Sequence, residues 1–302
     1  MTTAIEIVEV GPRDGLQNES AILEPGDKLE FIRRLEAAGA RRVEAVSFVN
    51  PRRVPQMAGA EEIMAALPHA HGHSRIGLVL NERGWERCLA AGCDEANIVV
   101  CASDGFGIRN QGAPVGEQVA TMVRIAERRA AEGGPPLSMT ISVAFGDPFD
   151  GEVSEAQVAA IAAEAGRAGI GEIALGDTIG VADPWTVRKR IEAVKKAAPD
   201  ARIRMHFHNT RNTGFANVYA SLEAGAEVID ASCGGIGGCP FAPDATGNIA
   251  TEDLVYMLER GGIDTGLDLD ALIETGRWIG EKLGKAVPSA LTRAGGFPPA
   301  RA

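Results

Sequence analysis

His206 and His208 stand one residue apart in RIRMHFHN (202–209), a stretch that reads as a β-strand. On a strand, residues i and i+2 face the same side, so both imidazoles point one way, suited to two neighbouring ligands on one ion. Two buried, hydrogen-bonded histidines without an ion are the plain alternative, and an acid from another strand end argues for the ion. GPRDGLQNE (11–19) offers such an acid in Asp14, with the permanent cation of Arg13 beside it. Two imidazoles joined by carboxylate and amide oxygens suit Mg²⁺ or Mn²⁺ better than a thiolate-rich zinc site would. Other polar residues gather at comparable places. Glu44 interrupts the apolar run VEAVSF, Asp177 follows a strand in LGDTIG, and ATGN ends at Asn248.

Two further clusters carry less. His69, His71 and His73 in HAHGH precede a strand, at the end of a barrel opposite its catalytic face, where solvation or adventitious metal binding is expected. The glycines of CGGIGGCPF (233–241) lack the spacing of a nucleotide-phosphate loop and fit a flexible lid that positions Cys239. A thiol in such a loop beside a cation suits proton transfer. Cys88, Cys93 and Cys101 fall in helix or strand patterns and are read as structural.

The elements that must hold these residues alternate along the whole chain. β-Branched runs occur at 4–10, 42–48, 75–80, 96–102, 138–144, 172–176, 202–208 and 227–232. Helical patterns lie near 26–38, 56–66, 82–91, 114–132, 154–168, 184–197, 213–224 and 251–260. Ser154 with Gln157 reads as a capping box, and Asp183–Pro184 as an N-cap followed by proline at the first helical position. Gly39, Gly92, Gly169 and Gly225 each close a helix where a positive φ is needed. Eight β/α units predict an α/β fold, a (β/α)8 TIM barrel over 1–265, with a short C-terminal helical extension and tail over 266–302. In such a barrel active residues lie at the C-terminal strand ends, where the polar residues above collect.

Composition sets the outer bounds. Of 302 residues, 45% are hydrophobic and 24% charged, the balance of an ordinary globular enzyme. A formal net charge of −11 argues against nucleic acid or an anionic membrane surface as partner, since both need a dense cationic face. Five cysteines without framework spacing fit a reducing compartment, and no apolar run is long enough to span a bilayer. With strand-like sequence starting by Ala4 and no leader pattern before it, a cytoplasmic protein is expected.

Taken as an ordered set, the motifs resemble the 3-hydroxy-3-methylglutaryl-CoA lyase family of metal-dependent TIM-barrel enzymes. The likeness runs from VEVGPRDGLQNE (8–19) through SFVNPRRVPQM (47–57), LGDTIGVADP (175–184) and GGCPFAPDATGN (237–248) to ATEDLVYMLE (250–259). The resemblance implies a divalent-metal site of Asp14, His206, His208 and Asn248, a catalytic Arg13, a mobile-loop Cys239, and supporting acids Glu44 and Asp177. It also implies a CoA-thioester substrate, a homodimer, and retro-aldol cleavage of a 3-hydroxyacyl-CoA to acetyl-CoA and a keto acid such as acetoacetate. Cleavage of C2–C3 needs loss of the C3 hydroxyl proton and leaves a thioester enolate. A divalent ion suits the first demand, Arg13 the second, and Cys239 could protonate the resulting carbanion. Asp177 or a water could act as base.

Three departures from the family pattern bear on the substrate: Asn209 after the second histidine, Asp147-Pro148-Phe149 after strand five, and Ser20 after the first Asn-Glu. None removes an implied ligand. All lie near the implied barrel mouth, so citramalyl-CoA or a bulkier 3-substituted glutaryl-CoA stands as an alternative substrate. A condensing synthase of the same superfamily and a catalytically dead metal- or CoA-binding scaffold are the competing functions. The short tail and GGCP loop speak against the first, the intact residue set against the second.

Overall fold

The computed structural model describes residues 4–68, 72–238 and 247–298. Eight parallel strands close into a barrel in sequence order, with the first hydrogen-bonded to the last. They are β1 (Glu6–Glu9), β2 (Arg42–Ser47), β3 (Ser74–Val79), β4 (Glu95–Cys101), β5 (Leu137–Ser142), β6 (Glu172–Asp177), β7 (Arg202–Phe207) and β8 (Val228–Ala231). Around them run α1 (Pro25–Ala37), α2 (Ala60–Ala66), α3 (Glu82–Ala90), α4 (Asp104–Asn110), α5 (Val115–Glu132), α6 (Glu155–Arg167), α7 (Pro184–Ala197), α8 (Gly214–Glu223) and α9 (Thr251–Arg260). The C-terminal helices α10 (Leu269–Leu283) and α11 (Leu291–Ala294) follow, and α10 lays Trp278 against Phe31 of α1. Among the described residues, no helix is long and apolar enough to cross a membrane.

The eight expected strands and their helices are all present, and the local signals behave as their chemistry dictates. Ser154 and Gln157 form the reciprocal capping box, and the Asp183 side chain accepts the amides of Trp185 and Thr186. Gly92 and Gly169 terminate α3 and α6 with φ of +70° and +78°. Besides the short α11 in the tail, α4 was not expected: its sequence DGFGIRN carries two glycines and no apolar stripe. Acids from a later loop hold it. Asp147 accepts the amide of Phe106, and Asp150 that of Gly105.

Two cores result. The large one lies between strands and helices. Inside the barrel Val8, Val10, Ile76 and Val228 form a small apolar cluster, and ions fill much of the remaining interior. At its N-terminal end Arg42 donates to both oxygens of Glu95 at 2.8 Å, to Glu172 across the barrel at 2.9 and 3.0 Å, and to Glu6 at 3.2 Å. Arg202 adds a bond to Glu6 at 2.7 Å, and Ser138 one to Glu95 at 2.6 Å. Higher up, Asn97 bridges Glu44 and Thr140. A bulge in β2 between Glu44 and Val46 shifts the register with β3 where Glu44 enters this interior.

One residue holds the lower layer together. Arg42→Met leaves Glu95 and Glu172 buried without their shared cation, which should cost about 3–5 kcal/mol and lower the melting temperature by roughly 10 °C. Scanning calorimetry checks this, and an unchanged melting temperature would count against the layer as a stabilising unit.

Candidate active site

After β1 the chain makes one turn of π-helix, Gly11–Gly15, closed by the Gly15 amide on the Val10 carbonyl at 3.1 Å. Gly11, Pro12 and Gly15 are buried while Arg13 and Asp14 are only half-buried. The turn thus carries two adjacent charged residues on one face. Arg13 donates from Nε to Glu44 at 2.6 Å and from Nη1 to Asp14 at 2.7 Å. Glu44 is wholly buried and also accepts from Asn97, so the guanidinium is gripped from beneath. Burial works against the charge of Arg13, but Glu44 and Asp14 outweigh it and raise its pKa. Burial likewise opposes the Asp14 carboxylate, yet Arg13 and the two imidazoles hold that acid well below its usual range.

His206, in β7, and His208, just beyond it, face the same side, with ring centroids 5.1 Å apart. The Nε2 atoms of both rings lie 3.8 and 3.7 Å from one oxygen of Asp14, too long for hydrogen bonds. One ligand atom from each of the three side chains falls within 4.8 Å of the others. Two imidazole nitrogens and a carboxylate oxygen, converging at distances too long for hydrogen bonds, are a donor set for a divalent cation, so the residues fit the implied ion. Asn248 completes the ring by position. A bridge pairs it with His208, and its Nδ2 donates to Asp14 at 2.8 Å and to the Ile236 carbonyl at 3.1 Å. The amide nitrogen thus faces Asp14, and ligation through the oxygen would require the amide to turn.

The loops behind these residues are tied by buried carboxylates. Both oxygens of Asp177, the last residue of β6, accept loop amides, from Val181 at 2.8 Å and Ala182 at 3.1 Å. Burial raises its pKa against those bonds and the nearby histidines. Glu9 accepts the amides of Gly11 and Cys233 and the Thr251 hydroxyl, joining the three segments that lead to Arg13, to the glycine-rich loop and from Asn248. Glu19 accepts from the Gly237 amide and from Lys285. Gly237 must be glycine: its φ is +112°, and a Cβ there would meet the Asn248 amide at 2.5 Å.

Arg13, Asp14, Glu44, His206, His208 and Asn248 are therefore brought together, with Asp177 close enough to feel both histidines. Cys239 lies outside the described residues, as do His69 and His71, while His73 sits 3.2 Å from the Ala40 carbonyl. Two departures near the mouth are structural in their observed contacts. Asp147 accepts from Ser103, Phe106 and Phe149, and Asn209 accepts the Gly214 amide at the start of α8. Sequence reasoning missed Asp230, Arg204, Asn97 and Glu9. A signal existed for the first two. Asp230 breaks an apolar strand as Glu44 does, and Arg204 shares the parity of His206.

Comparisons with known proteins place the chain in one family. The sequence profile of the HMGL-like family matches residues 4–279. An (R)-citramalyl-CoA lyase of Chloroflexus aurantiacus is 44% identical, across 97% of this chain and 95% of that one. A 3-hydroxy-3-isohexenylglutaryl-CoA/hydroxymethylglutaryl-CoA lyase of Pseudomonas aeruginosa is 41% identical across 96% of each. Among solved structures, an HMG-CoA lyase from Acinetobacter baumannii, in complex with coenzyme A and 3-methylmalate, superposes with a TM-score of 0.94 at 37% identity, covering 100% of this chain and 99% of that one. The chain belongs to the HMGL-like family. It is an enzyme of the lyase class.

Glu9 yields a pH-dependent prediction. Burial, against its three hydrogen bonds, pushes its pKa up from 4.5 to about 7. The folded chain thus keeps a proton that the unfolded chain releases, and stability falls as pH rises between those values. Glu9→Gln can accept both amides and donate to Thr251, so it should fold and lose this step. Its stability relative to the parent should rise from pH 5 to pH 8 by about 3 kcal/mol. Urea unfolding at both pH values checks this, and parallel stability curves would contradict it.

Proposed function

We propose that the chain cleaves the C2–C3 bond of a 3-hydroxyacyl-CoA by a metal-dependent retro-aldol reaction, releasing acetyl-CoA and a keto acid, with a hydroxymethylglutaryl-CoA-like substrate. The convergence of Asp14, His206 and His208 beside Arg13 at the C-terminal face of the barrel is the observation that carries the reading. Asp14, His206, His208 and Asn248 would hold the ion. Bound there, a divalent cation would acidify a hydroxyl and orient a neighbouring carboxylate.

The chain's own residues supply the rest. Arg13 keeps N–H groups beyond those spent on Asp14 and Glu44, and a permanent cation there stabilises the enolate oxygen as C2–C3 breaks. Glu44 and Asn97 keep that guanidinium from turning away. Asp177, its pKa raised by burial, can take the hydroxyl proton, and Cys239 can return a proton to C2 of the departing acetyl unit. A homodimer and a cytoplasmic location belong to the same proposal.

Citramalyl-CoA is the second reading, favoured by the 44% identity to a citramalyl-CoA lyase. The keto product separates the two: acetoacetate from hydroxymethylglutaryl-CoA, pyruvate from citramalyl-CoA. We expect acetyl-CoA from at least one of these thioesters, only with Mg²⁺ or Mn²⁺ present. His208→Ala should lose more than the roughly 10–100-fold that removal of an outer partner of a ligand costs. Turnover that survives both EDTA and His208→Ala would refute the metal-dependent reading.

A further inference from the structure

Asp230 lies in β8 within the barrel interior, almost fully buried, between two groups that the reaction as described does not explain together. Arg204, buried two residues before His206, donates from Nε to Asp230 Oδ1 at 2.5 Å. The other oxygen, Oδ2, lies 3.1 Å from Nδ1 of His206. The far nitrogen of the same ring, Nε2, is the one that faces Asp14.

Arginine has only donors and stays charged, so Oδ1 can serve only as an acceptor. Asp230 forms an ion pair with that guanidinium, so it faces His206 as a carboxylate. An ionised carboxylate accepts at both oxygens. A neutral His206 ring must therefore carry its hydrogen on Nδ1, which leaves a lone pair on Nε2. The opposite tautomer would set two lone pairs against each other and aim an N–H at the place where an ion would sit. We propose that Asp230, clamped by Arg204, is a positioning residue that fixes His206 as the tautomer able to ligate metal through Nε2. The inference rests on the metal reading above, and it adds why residue 230 must be a carboxylate. Arg204 and His206 meet different oxygens of Asp230, and an amide has only one oxygen to offer those two positions. Stability alone explains the arrangement poorly, because an apolar pair would fill the space without desolvating a guanidinium.

The test reads the tautomer directly. The chain has five histidines, so long-range ¹⁵N–¹H correlation of the metal-free protein, at a pH where the rings are neutral, can resolve them. The parent protein should carry the His206 proton on Nδ1. In Asp230→Asn, Arg204 holds the amide oxygen and the NH₂ group meets His206, so the proton should move to Nε2. Mn²⁺ affinity, followed by electron paramagnetic resonance, should then weaken about 10–100-fold. In Arg204→Met/Asp230→Asn the amide is free to turn its oxygen toward His206, and the Nδ1 proton should return together with Mn²⁺ binding. The double variant leaves no charge in the pair, so it serves even where Asp230→Asn does not fold. A parent with its proton on Nε2 overturns the inference. So does an Asp230→Asn protein that keeps the Nδ1 proton and full Mn²⁺ affinity, or a double variant protonated on Nε2. A parent that shows the expected tautomer but takes up no Mn²⁺ upholds the Asp230 clamp and overturns the metal reading instead.

Discussion

A charge enclosed in a barrel has lost its water, and only an opposite charge or a set of hydrogen bonds offsets that loss. Much of this molecule follows from that requirement. Its interior holds Arg42 among three glutamates at one end, Arg204 between Glu172 and Asp230 in the middle, and Arg13 between Glu44 and Asp14 at the mouth. Each cation touches at least two acids, and each acid's orientation is thereby constrained. The interior behaves as a braced ionic column. Three arginines largely withdrawn from water are expensive as stability devices, and the two nearer the mouth each hold a carboxylate that touches the candidate metal site.

The column explains a division of labour. Groups on strands and on the π turn are aligned by partners within the barrel wall. Glu9, Glu19 and Asp177 instead bind backbone amides of loops, and at Glu9 and Asp177 burial outweighs what those bonds supply. Glu9 and Asp177 accordingly have raised pKa values, as does Glu252 at about 8, which accepts the Gly234 amide. Asp14 and Asp230 lie beside arginines and are lowered. Asp177 and Asp230 are buried to a similar degree and diverge because their partners differ, and the divergence follows their place in the fold.

The barrel and most of the site were legible in the sequence because both rest on local rules. Strand parity placed His206 and His208 on one side, capping signals placed α6 and α7, and glycines marked helix ends. What stayed hidden depends on contacts between distant segments. Nothing near DGFGIRN announces a helix whose amides are capped by acids more than 40 residues later. Asp147 reads as a substrate-facing departure until its oxygens are seen on Ser103, Phe106 and Phe149. Arg204 and Asp230 lay in plain alternation, yet an arginine in a strand is ordinarily read as solvent-facing. Only closure of the barrel makes that position interior.

The same separation bears on how one framework could serve different acyl groups. Ligand and enolate-stabilising side chains are fixed by strands, by the π turn and by the ionic column, none of which a change of acyl group need disturb. Apolar surface is exposed instead on α4 and the β5–α6 loop, where Phe149 lies under Arg109 at 4.1 Å and Ile108 stands largely exposed. Those two segments are bound to each other through Asp147 and Asp150 rather than to the barrel ions. A substitution there can reshape the mouth as a unit while the distances among Asp14, His206 and Arg13 stay as they are. Bond cleavage and substrate choice are thus mechanically separable, and relatives named for different thioesters can share the same interior.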